Sequence, residues 1–249
     1  MPPNALTGWS EVALRLAGRP PAVFLDYDGT LTPIVERPMD ARLSATMREV
    51  IEELARRCPV CIVSGRDRSV VQELMGVRDL TVAGSHGFDI WHPEGREIPE
   101  LVGAPERELI QAVTRELQAG VSGLAGVEVE PKAISVAVHD RRAGGAERRA
   151  AEALVAGVLA AHPGRLKVTP GRHVREVQPN LDWDKGRAVL HLLRALGLDG
   201  PDVLPIYVGD DVTDEDAFRA VQGRGIGILV TSEERGHEPT SATFSLRDT

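Results

Sequence analysis

The chain has 249 residues, 42% of them hydrophobic and 27% charged, which allows one large domain or two small ones with ample core. With 29 Lys and Arg against 37 Asp and Glu the formal charge is -8, which argues against a nucleic-acid surface and suits a cation held by acidic side chains. No apolar run approaches membrane-spanning length, and MPPNALTGWSEVALRLAG lacks the basic start and apolar core of a signal peptide, so a soluble, cytoplasmic chain without a membrane partner is expected.

The first predicted strand is PAVFLD. It runs into FLDYDGTL, residues 24–31, which places Asp26 and Asp28 one residue apart. Alternate strand residues point to one side, so the two carboxylates converge if the extended geometry persists. Like charges held close repel, and Asp is a poor strand former, so something must offset the conflict. Next, Met47, Val50, Ile51, Leu54 and Ala55 fall on one helical face, with Ser44 as N-cap. CPVC holds the only two cysteines; Cys58 ends the helix pattern and Cys61 lies in the strand PVCIV, so both read as small buried hydrophobes rather than a redox pair. A short helix from about 67 to 75 and the strand LTVAG follow. Strand and helix in alternation predict a parallel sheet with helices on both faces.

The middle of the chain changes rhythm. A helix over about 105–119, the strands GVEVE and KAISVAVH, a helix over about 146–161 and the strands RLKVT and HVREV give α-β-β-α-β-β. This predicts a small antiparallel sheet with helices on one side, inserted as residues 98–179 into a core of 1–97 and 180–249. The core then resumes with LPIYVG, a helix from about Asp214, and GIGILV followed by a turn. Trp9, Trp91 and Trp183 read as packing residues, and GRGIG at 223–227 lacks dinucleotide-binding spacing.

Ligands of open α/β sheets bind outside the carboxyl ends of the strands. Four such ends are polar: Asp26 to Thr30, Ser64 to Asp67, Asp184 to Gly186, and Gly209 to Asp214. Ser64 or Asp67 could merely cap a helix, and Thr213 with Asp216 resembles a capping box, but neither accounts for Asp210 and Asp211. Lys185 falls in the first turn of a helix, against the helix dipole, so it is either solvated or held by an anion. Together the parts suit phosphoryl transfer. Lys185, the Ser64 hydroxyl and backbone amides after the first strand offer donors to a phosphate, while Asp26, Asp210 and Asp214 offer oxygen to a hard cation, expected to be Mg²⁺. One aspartate can attack phosphorus while the other moves the proton.

The four segments resemble, in order, the motifs of the haloacid dehalogenase superfamily. D-x-D-G-T-L is matched at Asp26 to Leu31, the serine at Ser64, the lysine at Lys185 and the acidic motif at Asp210 and Asp214. The resemblance implies a Rossmann-like parallel core with an inserted α/β cap. It makes Asp26 the nucleophile and Asp28 the acid/base. It gives Mg²⁺ to Asp26, the Asp28 carbonyl and Asp210, with Asp214 binding directly or through water. FLDYDGTLTPI, SGRD, GSHG, VEPKAISVAVHDR, GRHVREVQP, WDKG and VGDDVTDEDAF are further similar to trehalose-6-phosphate phosphatases. That likeness implies hydrolysis of trehalose 6-phosphate by a monomer. Substrate contacts would come from Asp26, Tyr27, Asp28, Ser64, Gly65, Arg66, His86 and Gly87 in the core. In the cap they would come from Glu130, Lys132, His139, Arg141, Arg172 and Glu176. Three positions depart from the pattern: Asp140 in place of an aromatic residue, Asp89 in place of glutamate, and Gln178 in place of a basic residue. The chain stops at FSLRDT where the family continues into a helix, so a shortened C-terminus is expected. The alternatives are another sugar-phosphate phosphatase (for sucrose phosphate or mannosylglycerate phosphate), a phosphomutase, or an inactive sugar-phosphate sensor. A sensor has no need of the nucleophile and lysine that this chain retains.

Overall fold

The computed structural model describes residues 1–35, 37–95, 102–171, 173–231 and 239–247; Arg172, expected in the cap site, lies outside them. The chain forms two compact units, Met1–Pro99 with Trp183–Thr249, and Glu100–Asp182.

In the first unit the helices are α1 (Trp9–Leu16), α2 (Ala45–Ala55) and α3 (Arg68–Met75), and the strands before the second unit are β1 (Pro21–Leu25), β2 (Val60–Val63), β3 (Thr81–Gly84) and β4 (Asp89–Trp91). The second unit holds α4 (Ala104–Gly120), β5 (Glu128–Pro131), β6 (Val136–His139), α5 (Gly145–Ala161), β7 (Leu166–Gly171) and β8 (Val174–Pro179). The first unit then resumes with α6 (Lys185–Ala195), β9 (Leu204–Gly209), α7 (Asp214–Val221), β10 (Ile226–Thr231) and β11 (Phe244–Arg247).

The large sheet has the order β11-β10-β9-β1-β2-β3-β4, parallel except for β4. Its central strand β1 is apolar on both faces because both are covered. Val23 and Leu25 pack with Ile51 of α2 and Val71, Leu74 and Met75 of α3. Ala22 and Phe24 pack with Ala188, Val189 and Leu192 of α6 and Phe218 of α7. The small antiparallel sheet has the order β5-β6-β8-β7, and Val136, Val138 and Val177 on one face pack against α4 and α5.

Three elements go beyond the expected set. In α1 only Val12 is buried, and the helix is eight residues long. β4 is a three-residue antiparallel edge. β11 adds to β10 with Ile228 paired to Phe244, where the sequence suggested only a turn. Trp9 is 58% exposed, so its indole is not the packing residue expected. Both cysteines are buried and free, and burial pushes the Cys61 thiol up to about 12, which suits the reading as inert hydrophobes. Ser44 caps α2 as expected, accepting from Met47 N at 3.1 Å. Thr213 makes no side-chain cap, so the capping box expected at α7 does not form.

Helices α6 and α7 approach closely at Gly186, where a Cβ would lie 2.3 Å from the backbone oxygen of Asp216. A methyl there must push the two helices apart. Gly186→Ala is expected to lower stability by about 1–3 kcal/mol, read as a lower urea midpoint. An unchanged midpoint would mean that the helices separate at no cost.

Candidate active site

The extended geometry does not persist beyond β1. Asp26 N still donates to Val208 O at 2.9 Å, but Leu31 N and Thr32 N both turn back to Tyr27 O, and Gly29 adopts φ 76°. The two aspartates therefore engage different partners. Asp28 leaves the strand line to take a two-pronged ion pair from Arg66, whose Nε and Nη2 each lie 2.6 Å from one of its oxygens. Asp26 stays buried beneath the strand end.

At the head of α6 the Asp184 carboxylate accepts from Arg187 N at 2.8 Å and caps the helix. The next side chain, Lys185, turns inward and is buried, not solvated. Its Nζ donates to Asp26 Oδ1 at 3.0 Å and to Asp214 Oδ1 at 2.7 Å. Those two anions answer why a cation stands in a first helical turn, since they outweigh the dipole. Asp214 is itself fixed from the other side. Its Oδ2 accepts from Asp210 N at 3.0 Å and Asp211 N at 2.9 Å, and its Oδ1 accepts from Tyr207 OH at 2.6 Å. The close approach needs glycine: a Cβ on Gly209 would lie 2.4 Å from Asp214 Cγ, and one on Gly29 would lie 2.1 Å from Asp210 Oδ2.

Asp26, Asp210 and Asp214 each present an oxygen within 4.8 Å of the others, and all three are buried. Burial, then the charges of Asp214 and Asp210, hold Asp26 well above the usual carboxylate range despite Lys185. Burial, then Asp214 and Asp211, push Asp210 up to about 7. Burial alone would lower Lys185, but Asp214 and Asp26 outweigh it and keep the ammonium charged. One ammonium does not offset three carboxylates, so the site has the donor set and the unmet negative charge of a hard divalent cation site, and Mg²⁺ fits it.

The remaining core residues surround this cluster at neighbouring strand ends. Ser64 is buried and its Oγ accepts from Arg66 N at 3.2 Å. Asp67 does not cap α3; its Oδ1 accepts from Ser85 Oγ at 2.9 Å. His86 adopts φ 57°, and its carbonyl accepts from Trp183 Nε1 at 3.1 Å. Its imidazole lies against Gly65, and Gly87 lies against Ala188. The Tyr27 ring is fully buried with its hydroxyl on Ala41 O at 2.7 Å, so only its main chain remains for a ligand. Asp89 pairs with Arg68 at 2.9 Å.

In the second unit, the register sets Glu130, Ala137, Glu176 and Thr169 in one row across the sheet, on the face away from α4 and α5. Glu176 is not a free solvent-facing residue. It accepts from Lys132 Nζ at 3.1 Å and from Ser135 Oγ at 2.6 Å. His139 Nε2 lies 2.8 Å from Glu130 Oε2. Gln178 donates to Thr169 Oγ1 at 2.7 Å. Arg141 is exposed. Asp140 is buried and pairs with Arg175 at 2.5 Å, near Arg148 and His173. Burial opposes its charge, but Arg175 and Arg148 prevail and its carboxyl stays below the usual range. It is thus tied into its own unit by ion pairs.

Sequence reading missed Tyr207 and Ser135, and placed Thr30 in a polar strand end without giving it a partner. Thr30 Oγ1 donates to Asp210 Oδ1 at 3.3 Å. For Tyr207 a signal existed, since a buried phenol in an otherwise aliphatic strand needs a partner for its hydroxyl.

Comparison with known proteins agrees with this arrangement. The trehalose-phosphatase family model matches residues 24–249. A trehalose-phosphate phosphatase of Mycolicibacterium paratuberculosis is 42% identical over 98% of this chain and 62% of its own length. A Mycobacterium tuberculosis protein described as an uncharacterized glycosyl hydrolase is also 42% identical, over 98% of this chain and 18% of its length. The chain thus spans less than two thirds of both relatives. The C-terminal domain of C. albicans trehalose-6-phosphate phosphatase shares the fold with a TM-score of 0.77 at 22% identity, covering 100% of this chain and 94% of that one. The architecture is that of haloacid dehalogenase-like proteins, a parallel core with a separate antiparallel-sheet cap. Together, the motif order, the buried lysine with its carboxylates and the match over residues 24–249 place the chain in the trehalose-phosphatase family.

Proposed function

We propose that the chain is a Mg²⁺-dependent phosphatase that hydrolyses trehalose 6-phosphate to trehalose and phosphate. The observation that carries this reading is the buried Lys185 shared by Asp26 and Asp214, beside Asp210. A binding module has no use for a desolvated nucleophile next to a fixed cation. The same cluster disfavours an inactive sensor.

In the proposed reaction a carboxylate oxygen of Asp26 attacks phosphorus as the bond from phosphorus to the sugar oxygen breaks. The sugar oxygen takes the proton of the Asp28 carboxyl. Water then gives a proton to Asp28 and attacks phosphorus, which frees the Asp26 carboxylate and inorganic phosphate. Asp28 must exchange its Arg66 partner for the leaving oxygen in order to serve, and Arg66 is then available to an anionic or hydroxylic substrate group. Lys185 favours the charged form of Asp26 against its burial, orients it and opposes the charge on the phosphoryl group. Asp26 and Asp210, with Asp214 directly or through water, would hold Mg²⁺, which would supply positive charge to balance the carboxylates and the phosphate oxygens. Selection of the sugar is assigned to the polar sheet face of the cap, where Glu176 is braced by Lys132 and Ser135 and Glu130 by His139. Braced carboxylates suit a hydroxyl-rich ligand because their orientation is already set.

Three outcomes test the reading. Asp26→Asn is isosteric but cannot attack phosphorus; it should lower kcat by at least about a thousandfold with an unchanged circular dichroism spectrum. Substantial turnover by the folded variant would remove Asp26 from the role.

Mg²⁺ should restore activity lost to chelation, and its affinity should rise with pH up to about 7, because the proton on Asp210 competes with the cation below that value. Calorimetry in buffers of different ionisation enthalpy reads the released proton. Asp210→Ala should weaken the affinity by at least about tenfold. Full activity after exhaustive chelation rejects the metal.

Glu176→Ala should lower kcat/KM for trehalose 6-phosphate by about ten- to a hundredfold, the cost of one hydrogen bond to a charged group, and affect a small aryl phosphate far less. Equal losses on both substrates would place Glu176 in the chemistry or the fold instead of in sugar choice.

A further inference from the structure

One buried hydroxyl in contact with the Lys185 cluster has no place in the proposed reaction. Tyr207, on β9, is fully buried, and its hydroxyl lies 2.6 Å from Asp214 Oδ1. We propose that Tyr207 is a positioning residue: its hydroxyl sets how the Lys185 ammonium is shared between Asp214 and Asp26. The kinetic consequence rests on the phosphatase reading above.

Asp214 receives four donors. Two backbone amides, of Asp210 and Asp211, reach Oδ2, and Lys185 Nζ and Tyr207 OH reach Oδ1. A carboxylate has about four acceptor sites, so Asp214 is saturated. Through these bonds it also fixes Lys185 and the loop after β9. Of the four donors, Tyr207 is the only neutral side chain. It draws part of the negative charge on Oδ1 that would otherwise fall on Lys185 alone.

The ring of Tyr207 has an ordinary explanation. It packs edge-on against Phe218 of α7, with centroids 5.7 Å apart, and pairs in register with Phe24 of β1. A phenylalanine would satisfy those contacts as well. The hydroxyl needs a separate reason, because a buried phenol without a partner is costly. Its partner is the carboxylate that also grips the site's cation. With the hydroxyl gone, Oδ1 would draw the Lys185 ammonium toward Asp214 and away from Asp26. The field at Asp26, where charge shifts in the reaction, would weaken, while the groups that hold the rest of a substrate would stay in place.

The test compares Tyr207→Phe, which removes only the hydroxyl, with Phe218→Leu, which disturbs the same ring packing and keeps the hydroxyl. Turnover is read on trehalose 6-phosphate and on p-nitrophenyl phosphate. Tyr207→Phe should lose about tenfold in kcat on both esters, with KM within about twofold. Phe218→Leu should unfold at a lower denaturant concentration and keep its kcat within about twofold. A kcat within twofold of the parent in Tyr207→Phe, or parallel losses in both variants, overturns the proposal. So does failure of Tyr207→Phe to fold while Phe218→Leu folds, since the hydroxyl would then be structural. A second readout needs no turnover: the ¹H–¹⁵N NMR signal of the buried Lys185 ammonium, without metal or substrate. It should shift and exchange faster with water in Tyr207→Phe and persist in Phe218→Leu. An unchanged signal in Tyr207→Phe overturns the proposal. If the parent protein hydrolyses no phosphate ester, the phosphatase reading fails, and the ammonium spectrum alone decides the role of Tyr207.

Discussion

The arrangement of the first unit depends on one buried cation. Lys185 is taken out of water and held between Asp26 on one strand end and Asp214 at the head of a helix. Removing a charge from water is expensive, and the cost is offset only when its partners are close and well aligned. That demand reaches far from the ammonium. It requires α6 to start where β1 ends, α7 to approach α6 at Gly186, and the loop after β9 to wrap around Asp214. Two glycines, Gly29 and Gly209, are needed because the carboxylates come within van der Waals contact of the backbone.

The same cluster is electrostatically incomplete. Three buried carboxylates face one ammonium, and burial first, then the neighbouring carboxylates, hold Asp26 and Asp210 above the usual range. An incomplete site of this kind is strained alone and relieved by a cation, which links metal binding and readiness for reaction in one set of atoms. Asp28 stands apart from it. It pairs with Arg66 while Asp26 pairs with Lys185, so two neighbouring aspartates have different electrostatic surroundings.

The second unit is organised by a different rule. Its sheet has an apolar face against two helices and a polar face on which carboxylates, a lysine, a histidine and a serine satisfy one another. The departures at Asp140 and Gln178 have local explanations there. Asp140 is engaged by Arg175 inside the unit, and Gln178 bonds Thr169.

Much was legible in the chain order of residue types. Apolar runs covered on both faces marked the parallel strands, because a strand between two helix layers has no polar side. The change to alternating patterns marked the inserted antiparallel sheet. Asp26, Lys185 and Asp210 stood out because each broke a local rule, an acid at a strand end or a cation against a helix dipole, whereas Asp214 suits a helix N-terminus and stood out only by its place in the acidic motif. Short elements were less legible. α1 spans only eight residues and β4 only three, which leaves few repeats to read. Trp9 misled because size suggests burial, and only neighbouring elements can supply a cavity.

By itself the sequence determined which groups are present, their order at successive strand ends and the presence of an inserted unit, since these follow from residue type and spacing. The tertiary structure decided who meets whom. It gave Asp28 an ion pair with Arg66 and Asp26 one with Lys185, partners that lie far away in the chain. It made Lys185 a buried bridge instead of a solvated helix residue, and it set Glu176 between Lys132 and Ser135. It also gave the Tyr207 hydroxyl its partner, since residues on different elements come within hydrogen-bonding distance only when the chain is folded.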